Sequence, residues 1–162
     1  MTRTPPVINS RSAYVDALRW GFDTAIEQGA RQLLCVDANF EHWPLGDAAL
    51  LQSLTAWMRL PQRRLVLLAA SYEEVPRRHP RFNMWRRDCA HALAFWQAPE
   101  ELAADLPTLL LDDRDLSVHL IDAEHWRGRA EINPRSARLW RDRVDVVLQR
   151  SASAFPVNTL GL

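Results

Sequence analysis

Hydrophobic positions along the chain change period several times, and each change marks an element. Over 13–28, Val15, Leu18, Phe22, Ala25 and Ile26 fall at helical spacing, with Ser10 or Ser12 available as a cap and Gly29 as the stop. LLCVDA (33–38) is then apolar without interruption, the pattern of a strand covered on both faces. NFEHWPLG leads to Asp47, a capping residue for a second helix that carries Leu50, Leu51, Leu54, Trp57 and Met58 and ends at Pro61. RLVLLAAS (64–71) predicts a second buried strand, parallel to the first because a helix joins them.

Beyond residue 75 the pattern loosens. Pro80 suits the first turn of a third helix with a stripe of Phe82, Trp85, Cys89, Ala92 and Leu93, after which ALAFWQ (92–97) turns strand-like. PEELAADLP predicts one helical turn between prolines. TLLLD (108–112) and SVHLIDA (117–123), separated by DRDL, predict a hairpin and so a mixed sheet. Period two puts Leu116, Val118 and Leu120 on one face of the second hairpin strand, and Ser117, His119 and Ile121 on the other. Asn133 and Pro134 open a last helix along Ala137, Trp140, Val144, Val147 and Leu148. The expected class is α/β, one domain over 1–162, with a mixed, largely parallel sheet flanked by helices on both faces; 1–11 and 151–162 read as irregular tails.

Composition narrows the chemistry. All twenty basic residues are arginine, so mechanisms that need a Schiff-base or phosphate-binding lysine are closed to this chain. Cys35 and Cys89 fall on buried stretches outside any metal-ligand spacing and read as reduced core thiols. The 48% hydrophobic and 25% charged composition is that of a globular protein, with no run long enough for a membrane span. MTRTPPVINS lacks the apolar stretch of a secretory signal, from which a cytoplasmic location is expected.

Charge is balanced overall but not locally. PRRHPRFNMWRR (76–87) holds five arginines and no acid, and residues 98–125 hold eight acids against one arginine. Arg77, Arg78, Arg81, Arg86 and Arg87, interleaved with Phe82 and Trp85, form a candidate site for phosphate or nucleic acid, although an amphipathic helix with solvated arginines explains the same letters and nucleic acid is not the favoured partner. Asp112, Asp113, Asp115, His119, Asp122, Glu124 and His125 carry the right donors for a divalent metal, but without HExxH or HxH spacing no metal or cofactor is assigned. Glu41 and His42 follow the first long strand, at the end where α/β sheets often bind ligands; Asp88 and His91 read as a surface pair on one helix. Trp57, Trp85 and Trp140 sit at helical core positions, whereas Trp43 and Trp126 fall in expected loops.

The order of elements resembles half of a phospholipase D-like fold. The likeness rests on an alanine-rich first helix leading to an apolar strand, an alanine- and leucine-rich second helix followed by RRLVLLAAS, the late hairpin, a loop over Gly128 to Asn133, and a terminal helix. In that family the second hairpin strand carries HxKxxxxD and two copies meet across a two-fold or pseudo-two-fold axis. Histidine attacks phosphorus, the partner histidine protonates the leaving group, lysine holds phosphate oxygens and aspartate orients the imidazolium. Laid on DLSVHLID (115–122), the motif keeps Asp122 but finds Asp115 in place of histidine and Ser117 in place of lysine. A carboxylate repels a phosphodiester, and serine supplies no positive charge to a pentacovalent phosphorane. The resemblance therefore implies a non-catalytic binding or interaction module, paired as a homodimer. The alternatives are a metal-dependent phosphohydrolase using the Asp112 to His125 cluster, with Asp115, His119 and Asp122 as its catalytic candidates, or anion binding through Arg77 to Arg87.

Overall fold

In the computed structural model, which describes residues 4–156, the elements run β1 (Val7–Ile8), α1 (Arg11–Glu27), β2 (Gln32–Asp37), α2 (Ala48–Met58), β3 (Arg64–Ala69), α3 (Val75–Arg78), α4 (Pro80–Asp88), β4 (Leu93–Gln97), α5 (Glu100–Ala103), β5 (Thr108–Asp112), β6 (Leu116–Asp122), β7 (Arg127–Ile132), α6 (Pro134–Gln149) and β8 (Ala152–Ser153). The strands form one sheet in the order β1-β7-β6-β5-β2-β3-β4-β8. It is the mixed α/β sheet the sequence predicts. Its parallel part is confined to β2, β3 and β4. The other pairings are antiparallel, so the parallel share is smaller than expected.

Strand parity divides the core. Leu33, Cys35, Leu65, Leu67, Leu110, Leu116 and Val118 face a layer made by α1, α2 and α4, whereas Leu34, Val36, Val66, Leu68, Leu109 and Leu111 face α6. The central strands are buried on both faces, which is why they read as continuous apolar runs. The helices begin where the sequence places their caps. Ser10 Oγ accepts the Ala13 N–H at 3.1 Å, Asp47 Oδ1 that of Ala49 at 3.0 Å, and Asn133 Oδ1 that of Arg135 at 3.0 Å. Gly29, at φ 77°, stops α1 as predicted.

Four expectations need correction. The tails are not wholly irregular: Val7–Ile8 pair with β7 at one edge and Ala152–Ser153 with β4 at the other. The loop expected over Gly128 to Asn133 is mostly strand β7, invisible to periodicity because only Ala130 among its residues is buried. The third helix stops at Asp88; Phe82 and Trp85 reach the core from it, whereas Cys89, Ala92 and Leu93 are buried on a short turn and the start of β4. Asp88 and His91 are exposed on either side of that break and so do not share a helix. Residues 157–162 of the expected tail lie outside the described residues. Cys35 and Cys89 are buried free thiols, as expected, and burial pushes both thiol pKa values up. Trp43 is buried against Phe22 and Phe40, and Trp126 packs on Tyr14, so both loop tryptophans are packing residues.

Close backbone approach fixes the new strand. A Cβ at Gly128 would lie 2.4 Å from the His119 carbonyl oxygen. Gly128→Ala should therefore destabilise the fold by about 2 kcal/mol or more, because backbone rather than a flexible side chain must move. Urea unfolding of the two proteins measures this directly, and equal midpoints would contradict the tight β6–β7 approach.

Candidate functional site

The stretch that carries the resemblance begins at the β5–β6 turn. Asp112 closes β5 opposite Leu33, and its Oδ1 accepts the N–H groups of Arg114 at 2.9 Å and Leu116 at 3.0 Å. These bonds hold the turn, the familiar use of aspartate at such a place. Asp112 is only 2% exposed, and its Oδ2 is buried without a hydrogen-bond partner, as is Oδ1 of Asp115. Burial first, then the nearby Asp115 and Asp113 carboxylates, push the Asp112 pKa above its ordinary value. Asp113 accepts the Arg31 N–H at 3.1 Å, and the Asp115 carbonyl accepts that of Asn133 at 2.6 Å.

Ser117 is shut into the sheet at 2% exposure, between Leu111 on β5 and Glu131 on β7. His119, on the same face, packs its ring 4.3 Å from that of Trp140. Its pKa is lowered by burial and then by Arg143, which favours the neutral imidazole. Asp122 lies at the opposite end of β6, where Oδ1 accepts the N–H groups of Glu124 and His125 and Oδ2 sits 2.9 Å from His125 Nδ1. That hydrogen bond is the main reason its pKa is lowered. Seven residue steps along a strand span roughly 23 Å, so Asp115 and Asp122 occupy different ends of the sheet.

The catalytic candidates Asp115, His119 and Asp122 thus do not converge. Among the described residues no group of three His, Cys, Asp or Glu side chains is placed to hold a metal ion. The hairpin separates Asp112, Asp113 and Asp115 from Asp122, Glu124 and His125 instead of gathering them, so the described geometry lends no support to the metal-dependent alternative. Cations from α6 do reach the hairpin, and spacing could not reveal them. Arg141, on α6, donates to the Asp112 carbonyl at 2.7 Å, and on β7 the Glu131 carboxylate accepts from Ser136 Oγ at 3.3 Å.

The arginine-rich segment is also redistributed. Arg77 pairs with Glu74, Arg78 with Glu41 at 2.8 Å, and Arg81 donates to the Gly46 carbonyl at 2.9 Å. Arg86 is withdrawn from any ligand-facing surface: it is 6% exposed and bonded to Asn83 and to the Phe155 carbonyl. Arg87 remains exposed. Glu41, singled out after β2, serves as the counter-charge of Arg78, while His42 packs on Trp126 with ring centroids 5.0 Å apart.

The raised Asp112 pKa sets a pH dependence. A carboxyl whose folded pKa exceeds its unfolded one stabilises the fold most in acid, and that contribution is lost as pH rises through the folded value. Asp112→Asn keeps an oxygen for the two backbone N–H groups and removes the buried charge. It should be at least as stable as the parent at neutral pH, with an advantage that shrinks on acidification toward the ordinary carboxylate range. Thermal unfolding across that range measures the difference, and a difference independent of pH would contradict the assignment.

No family model and no curated protein matches the sequence. Solved structures do match the fold. Nuc from Salmonella typhimurium, a phospholipase D family member, superposes with a TM-score of 0.54 at 7% identity over 85% of this chain and 91% of its own. TrmBL2, an archaeal chromatin protein that binds DNA, superposes with a TM-score of 0.53 at 10% identity; it covers 85% of this chain, which spans about half of it, 52%. At these identities the likeness speaks for the backbone alone, and the chain has a phospholipase D-like α/β fold.

Proposed function

We propose that the chain is a non-catalytic phospholipase D-like domain that works as a binding module and pairs with a second copy of itself. The observation that carries this reading is the start of β6. Where the family's nucleophile and cation are expected, the chain has Asp115 beside a buried, unpartnered Asp112 oxygen, and Ser117 closed off at 2% exposure. Carboxylates there repel a phosphodiester, and His119 is held away against Trp140. Arg141 is committed to a backbone carbonyl of the same turn.

Binding of nucleic acid through the Arg77 to Arg87 segment is the weaker reading. Ion pairs with Glu74 and Glu41 and the burial of Arg86 leave too little free positive charge for a phosphate backbone to release many counterions. No described helix is long and apolar enough to cross a membrane.

Bis(p-nitrophenyl) phosphate and single-stranded DNA, each with and without magnesium or manganese, test the loss of chemistry. The expected result is no hydrolysis above buffer for the wild type, Asp115→Ala and His119→Ala alike. Hydrolysis by the wild type that Asp115→Ala abolishes would overturn the proposal. Light scattering after size exclusion tests the pairing, with a concentration-dependent dimer expected and a strict monomer contrary. An oligonucleotide column at low ionic strength should not retain the protein.

A further inference from the structure

Arg86 is buried, yet its hydrogen bonds run to amide oxygens and not to a carboxylate. The guanidinium donates to Asn83 Oδ1 at 3.1 Å, to the Phe155 carbonyl at 2.8 Å and to the Pro156 carbonyl at 3.5 Å. Its Cζ stands 3.5 Å from the Phe155 ring centroid and 5.5 Å from that of Phe95. Phe155 also stacks on Tyr72, with centroids 5.1 Å apart and planes within 4°, and meets the edge of Phe95 at 5.3 Å. Tyr72 in turn is fixed by its hydroxyl, 2.8 Å from the Trp96 carbonyl. Desolvating a guanidinium is costly, and burial lowers the Arg86 pKa, so the residue belongs to a slot for an aromatic ring and the carbonyls beside it.

The occupant of that slot is a strap at the end of the described chain. Ala152 and Ser153 pair with Gln97 and Trp96, and the Ala154 N–H donates to the Phe95 carbonyl at 2.9 Å. Recognition is thus by main-chain bonds along the β4 edge, by small residues that let the strand lie flat, and by one aromatic ring in the slot. The strap does not fill its seat. A cavity of about 320 Å³ remains between it and the start of β4, lined by Arg64, Ala90, Leu93 and Ala94 as well as the strap itself. Only Arg150 and Ser151 separate α6 from β8.

The geometry points to exchange of this strap between two copies of the chain, residues 152–156 of each adding to β4 and entering the Arg86–Tyr72 slot of the other. The inference rests on the pairing proposed above and supplies the surface for it. Every bond that residues 152–156 make within one chain can be made identically between two, and what the exchange gives up lies in the hinge: the bonds from the Arg150 and Ser151 N–H groups to the Val147 and Leu148 carbonyls and from Ser151 Oγ to the Val147 carbonyl. A two-residue hinge need only extend for α6 to deliver the strap across a two-fold axis. The balance between the closed monomer and the exchanged dimer then follows concentration.

Complementation between two full-length variants decides the matter. Phe155→Ala keeps the slot and spoils the strap; Arg86→Ala keeps the strap and spoils the slot. Light scattering should show a wild-type dimer, monomers for each variant alone, and a heterodimer in their equimolar mixture, since one intact strap then meets one intact slot. A synthetic peptide of residues 150–156 should compete, converting wild-type dimer to peptide-bound monomer, and this readout holds even if a variant folds poorly by circular dichroism. Variants that dimerise like the wild type, together with a peptide that leaves the dimer intact, would overturn the exchange while leaving the pairing standing. A wild type monomeric at all concentrations would overturn both.

Discussion

Two-sided burial of β2, β3 and β5 is the constraint from which the rest follows. Three adjacent strands of almost unbroken leucine and valine cannot face water on either side, so helices must cover both faces: α1, α2 and α4 on one, α6 on the other. Once that sandwich is set, strand parity assigns every other side chain. Ser117 and His119 share a parity that sends them toward α6, while Leu116, Val118 and Leu120 complete the core under α1. The residues that look like a motif in the sequence are therefore placed by the demands of packing. His119 becomes a ring packed against Trp140, its pKa lowered by burial, and Ser117 becomes filler between two strands.

The same fold explains how the hairpin keeps its shape without the histidine and lysine of the family's motif. Asp112 holds the turn through its own two backbone hydrogen bonds, and Asn133 caps α6 while its N–H reaches the Asp115 carbonyl. Those are structural roles for polar residues, and none requires a nucleophile or a cation. The backbone agrees with Nuc over most of both chains at 7% identity, so the architecture tolerates nearly complete replacement of its side chains. Function lives in the site grafted on the fold, and here the grafted residues are carboxylates.

Arginine, which fills every Lys/Arg position of the chain, is used in several distinct ways. Arg78 at the end of α3 pairs with Glu41 in the loop after β2, Arg141 steadies a backbone carbonyl, and Arg86 is buried among aromatic rings to hold the strap. A planar guanidinium suits the last task because it stacks and donates at once, which an ammonium group does not. Part of the charge that looks like a ligand patch in the sequence is thereby drawn into the architecture, while Arg77 and Arg87 stay exposed.

By itself the sequence determined the helices α1, α2 and α6 with their caps, the strands β2, β3 and β5, the hairpin, and the absence of any lysine chemistry. These are local signals, written in periodicity, turn residues and composition. Only the tertiary structure decided the edge strands β1 and β8 and the strand β7 inside β1, because two-residue strands and the sparsely buried RGRAEI have no period to detect. It also decided that Asp115 and Asp122 stand at opposite ends of the sheet and that Arg86 faces inward toward Phe155. Convergence of side chains and pairing of distant charges depend on which elements lie side by side in space, and spacing along a chain does not encode that.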